Sequence, residues 1–144
     1  LDRQGTSSLP KLGREASDPT LDAEYLVAAL KRRKIAIKPA MMDQSVIAGL
    51  GNIYAAEALW EAELDPRSLS PKISPAKLKK LVDAIKLVLS PAKRRPGRYT
   101  EKRGVSRFAV YDREGKICRR CGATIERIVQ AGRSTYFCPG CQLR

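Results

Sequence analysis

The sequence predicts a mainly α protein, a helical bundle followed by a small β-hairpin zinc finger. Three observations carry this expectation. Apolar residues recur at helical spacing as far as residue 89, a dense basic run then interrupts the pattern, and two Cys-x2-Cys pairs close the chain. With 144 residues and 43% hydrophobic content there is material for one core of ordinary size and a small satellite module, but not for two full domains. The expected divisions are a flexible tail or linker over 1–19, a helical unit over 20–92, a basic linker over 93–107 and a four-cysteine zinc finger over 108–144.

Each element has a local reason. The first 19 residues hold Gly5, Ser7, Ser8, Pro10, Gly13, Ser17 and Pro19, with little to bury. Asp22 suits an N-cap, Leu26, Ala29 and Leu30 share a helical face, and the cations Lys31 to Lys34 suit a helix C-terminus, so a helix is expected near 22–33. Pro39 reads as a first-turn residue. The turn Gly49-Leu50-Gly51-Asn52 then precedes Ile53-Tyr54-Ala55-Ala56-Glu57-Ala58-Leu59-Trp60, with Asn52 where an N-cap belongs. Helix, glycine turn, helix is the expected order, ending before Asp65-Pro66.

A further helix follows, capped by Ser74 with Pro75 in its first turn. Leu78, Leu81, Val82, Ile85, Val88 and Leu89 form its apolar face, and it stops at Ser90-Pro91. Residues 93–107 carry seven Lys and Arg against the single acid Glu101 and read as a solvated linker. Beyond them, β-prone runs at 108–111, 125–129 and 135–137 alternate with Gly115, Gly122, Gly132 and Gly140, which predicts two short hairpins.

Charge narrows the partner. Lys and Arg number 28 against 15 acids, a formal +13 that costs self-repulsion and that folding does not require. A basic face can simply aid solubility, but an excess of this size on a small chain points to a polyanion. No apolar run reaches the roughly 18 residues that cross a bilayer and no signal segment opens the chain, so a soluble, cytoplasmic, nucleoid-associated protein without membrane contact is expected. Because the first residue is Leu1 and not Met, the chain reads as processed or as a piece of something longer.

Cys118-x2-Cys121 and Cys138-x2-Cys141 are separated by sixteen residues, the spacing of two knuckles closing on one zinc ion. Each two-residue gap aims both sulfurs at one point, and Gly122 and Gly140 let the backbone curl close to them. Four thiolates saturate tetrahedral Zn²⁺, which leaves no position for a catalytic water and makes the ion structural. Disulfides and free core cysteines are the alternatives. An intracellular chain disfavours the first, and two close pairs in so short a stretch disfavour the second. Between the knuckles Ala131-Gly132-Arg133-Ser134-Thr135 reads as a hairpin with Arg133 at its tip, aimed at phosphate or a groove. The glycine turn can likewise hold a phosphate on backbone N–H groups, with Lys38 just upstream.

Two strings, in order, carry a resemblance. Ile37-Lys38-Pro39, Met42-Asp43-Gln44 and Gly49-Leu50-Gly51-Asn52-Ile53-Tyr54-Ala55-Ala56-Glu57-Ala58-Leu59 resemble the helix–two-turn–helix of the formamidopyrimidine-DNA glycosylase and endonuclease VIII family. Val110-Tyr111-Asp112-Arg113-Glu114-Gly115, both cysteine pairs, Gly132-Arg133-Ser134-Thr135 and Cys138-Pro139-Gly140-Cys141-Gln142 resemble that family's zinc finger. The similarity runs from about Leu12 to Gln142. It implies that Lys38 and Asn52 contact phosphates flanking a damaged nucleotide and that Arg133 contacts phosphate from the finger. Gly51 and Arg113 complete the expected DNA-binding set.

The family's catalysis lies in an N-terminal β-sandwich domain beginning Pro-Glu, whereas this chain begins Leu1-Asp2. The stretch from Pro91 to Arg107 also reads as shorter than the family's equivalent, which carries a loop that closes over an extruded base. The expected function is therefore zinc-dependent binding of damaged or abasic duplex DNA by a monomer, without glycosylase activity in this chain and with no catalytic residue assigned. One alternative is an abasic-site lyase using the Leu1 α-amine, whose ordinary pKa of about 7.7–8.0 leaves a neutral fraction near pH 7. A protein-interaction zinc ribbon with incidental charge is the other, and it leaves the helix–two-turn–helix unexplained.

Overall fold

A computed structural model of the chain describes residues 12–90 and 108–144. The expected basic linker at 93–107 lies outside the described residues. Among the described residues there are four helices, two small two-stranded sheets and one 3-10 turn. In chain order they are β1 (Arg14–Glu15), α1 (Ala23–Leu30), α2 (Ile37–Met41), β2 (Ile47–Ala48), α3 (Asn52–Glu61), the 3-10 turn Ser70–Lys72, α4 (Pro75–Val88), β3 (Glu126–Gln130) and β4 (Arg133–Phe137).

Two of the three helices with capping signals, α1 and α4, form as their sequences dictate. Asp22 accepts the Tyr25 N–H at 2.8 Å at the start of α1, and Ser74 accepts the Lys77 N–H at 3.2 Å with Pro75 in the first turn of α4. Helix α4 buries Leu78, Leu81, Val82, Ile85 and Val88 against α1 and α3. Each such side chain contributes about 1.5–3 kcal/mol. Helix α1 ends earlier than expected, at Leu30. Lys31 to Lys34 have no apolar face to bury and repel along a helix, and Arg33 leaves the axis to pair with Asp43 and to donate to Ser45 Oγ at 3.0 Å.

Part of the expected tail is built into the fold. Strand β1 pairs parallel with β2, Ala16 is buried, and Gly13 lies so close to the next segment that a Cβ would sit 2.3 Å from the Val46 carbonyl oxygen. Tyr25 holds both strands, its hydroxyl donating to the Val46 carbonyl and its ring lying 4.5 Å beneath the Arg14 guanidinium.

Helix α3 is the shared wall of two cores. Ala55, Ala58 and Leu59 face the helical core, while Ala56 and Trp60 face a second cluster made by Val110, Ile125, Tyr136, Cys118, Cys138 and Cys141. That explains a helix apolar on nearly every side. The acid Glu57, in the middle of this string, is buried, and its carboxylate accepts N–H donors from Ala109, Val110 and Tyr111 at 2.8, 2.9 and 3.0 Å. These bonds bend the expected strand at 108–111 into a turn. At the other end Gln142 donates to the Leu64 carbonyl at 3.0 Å and accepts from the Cys138 N–H at 2.7 Å, tying the end of the finger to the helical unit.

The finger holds one true hairpin, β3–β4, paired antiparallel from Glu126↔Phe137 to Gln130↔Arg133. Its turn residues Ala131 and Gly132 both have positive φ, +50° and +78°, the two-residue geometry that matches strand twist. The other expected hairpin shrinks to a single bridge, Ile117↔Thr124, because the knuckle turn between them consumes the intervening residues.

Candidate zinc centre and phosphate-facing site

The four cysteine sulfurs lie within 4.8 Å of one another. Four ligands at the 2.3 Å zinc–sulfur distance sit about 3.8 Å apart at the corners of a tetrahedron, so the donor set and its spacing fit one Zn²⁺ with small adjustment. Cys118 and Cys141 Sγ are 3.9 Å apart and Cys121 and Cys138 Sγ 3.3 Å, one pair across the knuckles in each case. Glycine at 140 is required by packing: a Cβ there would come within 2.8 Å of Ala123 Cβ and 2.9 Å of Cys121 Sγ.

Burial raises the Cys118 thiol, but N–H donors from the Trp60 indole and the backbone of Arg120 and Cys121 outweigh it and hold the pKa at about 6. Burial, reinforced by the Cys121 thiol, pushes Cys138 up to about 12, and it raises Cys141 as well. The charge of a bound cation favours the deprotonated form of the thiols that hold it.

The second centre lies where α2, α3 and β4 meet. Lys38 is only 1% exposed although it is a lysine. Its ammonium donates to Asn52 Oδ1, to Thr135 Oγ1 at 2.9 Å and to the Ser134 carbonyl at 3.4 Å. The Asn52 amide in turn donates to the same Ser134 carbonyl at 3.1 Å. All three partners of Lys38 are neutral, and the charge acting on it is the cation of Arg133. Burial first, and Arg133 second, bring the Lys38 pKa down to about 8.

Lys38, Pro39, Met42, Asp43, Gln130, Ala131 and Arg133 line a cavity of about 280 Å³. Asp43 is held by Arg33, which leaves the cavity with two cations and no uncommitted acid among the described residues. A larger groove, about 1400 Å³, runs along α1 to the start of α4 and contains none of the residues the sequence assigns to DNA or metal.

The expected site residues fare differently. Lys38, Asn52 and the β4 residues next to Arg133 come together from positions more than 80 residues apart in the chain. Gly51, not Asn52, is the N-cap of α3. The Asn52 side chain is drawn into the Lys38 cluster, and α3 begins with no side-chain cap. A Cβ on Gly51 would meet no atom within 4 Å, so the approach to the first turn of α3 is open. Arg113, expected at a DNA surface, donates to the carbonyls of Ala109 and Ile117 and braces the entry to the finger. Sequence reasoning left Ser134 and Thr135 without a role and passed over Glu57. The signal for Glu57 was a lone carboxylate in an otherwise apolar helical string.

Comparison with known proteins agrees with this geometry. A family model for the formamidopyrimidine-DNA glycosylase H2TH domain matches residues 12–103, and one for the zinc finger found in FPG and IleRS matches residues 115–144. A formamidopyrimidine-DNA glycosylase of Bordetella parapertussis is 40% identical over 150 residues, covering 94% of this chain and 53% of the relative. The Chloroflexus aurantiacus enzyme is 42% identical over 153 residues, covering 99% and 55%. The chain spans about half the length of the curated relatives it matches. Among solved structures, the Lactococcus lactis formamidopyrimidine-DNA glycosylase bound non-covalently to DNA containing an abasic site superposes with a TM-score of 0.81 at 34% identity, over 93% of this chain and 50% of that one. A second complex of the same enzyme with abasic-site DNA gives 0.79 at 32%, over 92% and 52%. The chain therefore belongs to the formamidopyrimidine-DNA glycosylase family, of which it carries the H2TH domain and the zinc finger.

Proposed function

We propose that this chain grips the backbone of damaged or abasic duplex DNA, with Lys38, Asn52 and Arg133 forming a phosphate seat shared between the H2TH helices and the zinc-braced hairpin. The observation that supports the reading is the buried Lys38 ammonium, which among the described residues has three neutral acceptors, no anion and a second cation beside it. A folded protein tolerates an uncompensated buried cation where a ligand supplies the missing charge. A phosphate oxygen does so, and the open first turn of α3 adds backbone N–H groups and the positive end of the helix dipole. Such contacts fix register and orientation and carry no base code.

In this reading Gly51 keeps the approach to α3 clear. The zinc ion holds the finger so that Arg133 and Ser134 stay in register with α2 and α3, and its role is structural. Arg113 is assigned to the frame of the finger, not to DNA. The role assigned to the described residues is holding DNA; cleavage chemistry is given to none of them.

The test is binding of the zinc-loaded chain to duplexes carrying an abasic-site analogue or an undamaged pair, at two salt concentrations. Strand cleavage of a true abasic site is read under the same conditions. The expected result is tight binding that weakens steeply with salt and no cleavage. Cleavage at the abasic site would move the function to a nucleophilic amine of this chain, and salt-insensitive binding would remove the phosphate seat.

A further inference from the structure

Four thiolates around a divalent ion carry a net charge of about −2, and the sulfur lone pairs left over are where a proton or a competing ligand begins to pull the ion away. N–H groups aimed at those lone pairs stabilise the bound thiolate and oppose its loss. Backbone N–H groups of the knuckle turns reach Cys118 and Cys138, and two side chains, Trp60 and Arg120, add donors to one cysteine of each knuckle. Trp60 Nε1 lies 3.4 Å from Cys118 Sγ, as does the backbone N–H of Arg120. The Arg120 guanidinium lies 3.2 Å from Cys141 Sγ.

These two side chains also hold each other. The Arg120 guanidinium lies over the Trp60 ring at 3.8 Å from its centroid, donates to the Trp60 carbonyl, and has Glu63 at 3.9 Å. Trp60 is in the last turn of α3, so its indole N–H, ring face and carbonyl are all used by a finger that lies far along the chain. A tryptophan placed only to fill the interface would make ring contacts without directing its N–H at a ligand sulfur.

We infer that Trp60 and Arg120 are positioning residues of the zinc centre, which clamp the Cys118 and Cys141 thiolates from the H2TH side so that metal retention depends on the docking of α3. The finger then holds zinc most tightly when it is seated on the helices, the arrangement that also assembles the Lys38 cluster. Trp60 is the single tryptophan of the chain, so its fluorescence also reports occupancy of the site.

The experiment uses the full chain and the variants Trp60→Phe, which keeps an aromatic ring and removes the N–H, and Arg120→Lys, which keeps the charge and removes the planar fork. Transfer of zinc to an excess of a chromogenic chelator is timed, and the thiolate-to-metal charge-transfer band is recorded after substitution with Co²⁺. Both variants are expected to release zinc about 10- to 100-fold faster, the range for removal of a partner hydrogen-bonded to a metal ligand. The charge-transfer band is expected to move to lower energy, because a thiolate stripped of its N–H donor gives up an electron more readily. Faster release with an unmoved band would mean that these residues act by packing alone and would overturn the inference, as would wild-type release in both variants. Should Trp60→Phe fail to fold, Arg120→Lys decides the matter, since its side chain lies at the finger surface with 28% of its area exposed.

Discussion

Replacing Lys38 by Met keeps an unbranched stem of nearly the same length and deletes the ammonium and its charge. The structure then predicts opposite signs for stability and binding. A pKa lowered from 10.5 to about 8 means that holding the charged form in the fold costs about 3 kcal/mol at pH 7, at 1.36 kcal/mol per unit. Lys38→Met removes that cost. It also takes the donor from Asn52 Oδ1, Thr135 Oγ1 and the Ser134 carbonyl, at about 1 kcal/mol each, although the Asn52 and Thr135 side chains are free to turn toward water. The net change in stability is therefore between zero and about +2 kcal/mol, a melting temperature equal to or a few degrees above the parent. DNA affinity should fall by about 2–3 kcal/mol, roughly 30- to 150-fold, the worth of a hydrogen-bonded charge facing phosphate. Thermal melts of the free protein and fluorescence anisotropy with an abasic duplex read the two numbers. A variant destabilised by more than about 2 kcal/mol that binds DNA like the parent would refute the reasoning, because Lys38 would then be a structural lysine.

Five further outcomes follow from the same geometry. Because the folded pKa of Lys38 is depressed, the unfolded state binds the extra proton between about pH 8 and 10.5, so stability of the free protein gains from this group as pH rises through that window. DNA affinity should move the other way, falling above about pH 8 at constant salt, and Lys38→Met should lose that pH dependence; a flat parent profile across that pH would contradict it. Arg113→Gln should destabilise the finger by about 1–3 kcal/mol through the orphaned Ala109 and Ile117 carbonyls while leaving the salt dependence of DNA binding unchanged, and a slope reduced by about one would return Arg113 to the DNA surface. Glu57→Gln leaves three N–H donors to a single neutral oxygen and should cost about 3 kcal/mol, seen as faster hydrogen exchange at Ala109, Val110 and Tyr111; exchange unchanged at those amides would show that the carboxylate does not anchor them. Cys118→Ser or Cys141→Ser should unfold the finger and weaken DNA binding while α1 and α4 keep their helicity, and normal zinc content with normal binding in either variant would break the assignment of the zinc centre.

What was legible in the sequence was local. Asp22, Ser74 and Pro75 act within one turn of themselves, and the cysteine spacing encodes a metal site because two tight turns need only a few residues each. What was not legible depends on partners far along the chain. Asn52 looks like a cap because caps are local, but its amide is claimed by Lys38 and Ser134, and Gly51 takes the capping position. Residues 108–111 have strand composition, yet a carboxylate 52 to 54 positions earlier collects their N–H groups. The short β1–β2 pairing, which gives structure to residues with the composition of a tail, rests on a Gly13 contact with Val46 that no pattern within the tail announces. Lys38 itself was found by resemblance and by its position near the glycine turn; its burial against the finger was visible only in the fold.

The central claim is that Lys38 and Arg133 form one phosphate seat across the junction of helices and finger. The most direct test is the slope of log affinity against log salt for the parent, Lys38→Met, Arg133→Gln and the double variant on one abasic duplex. Each neutralised phosphate contributes about 0.9 to that slope, so with one phosphate shared by the two cations the double variant should flatten it by about 0.9 and each single variant by part of that. The double variant should lose more affinity than either single one but less than the sum of the two, since the residues share a ligand. Unchanged slopes in both single variants, with folded and zinc-loaded proteins, would contradict the account.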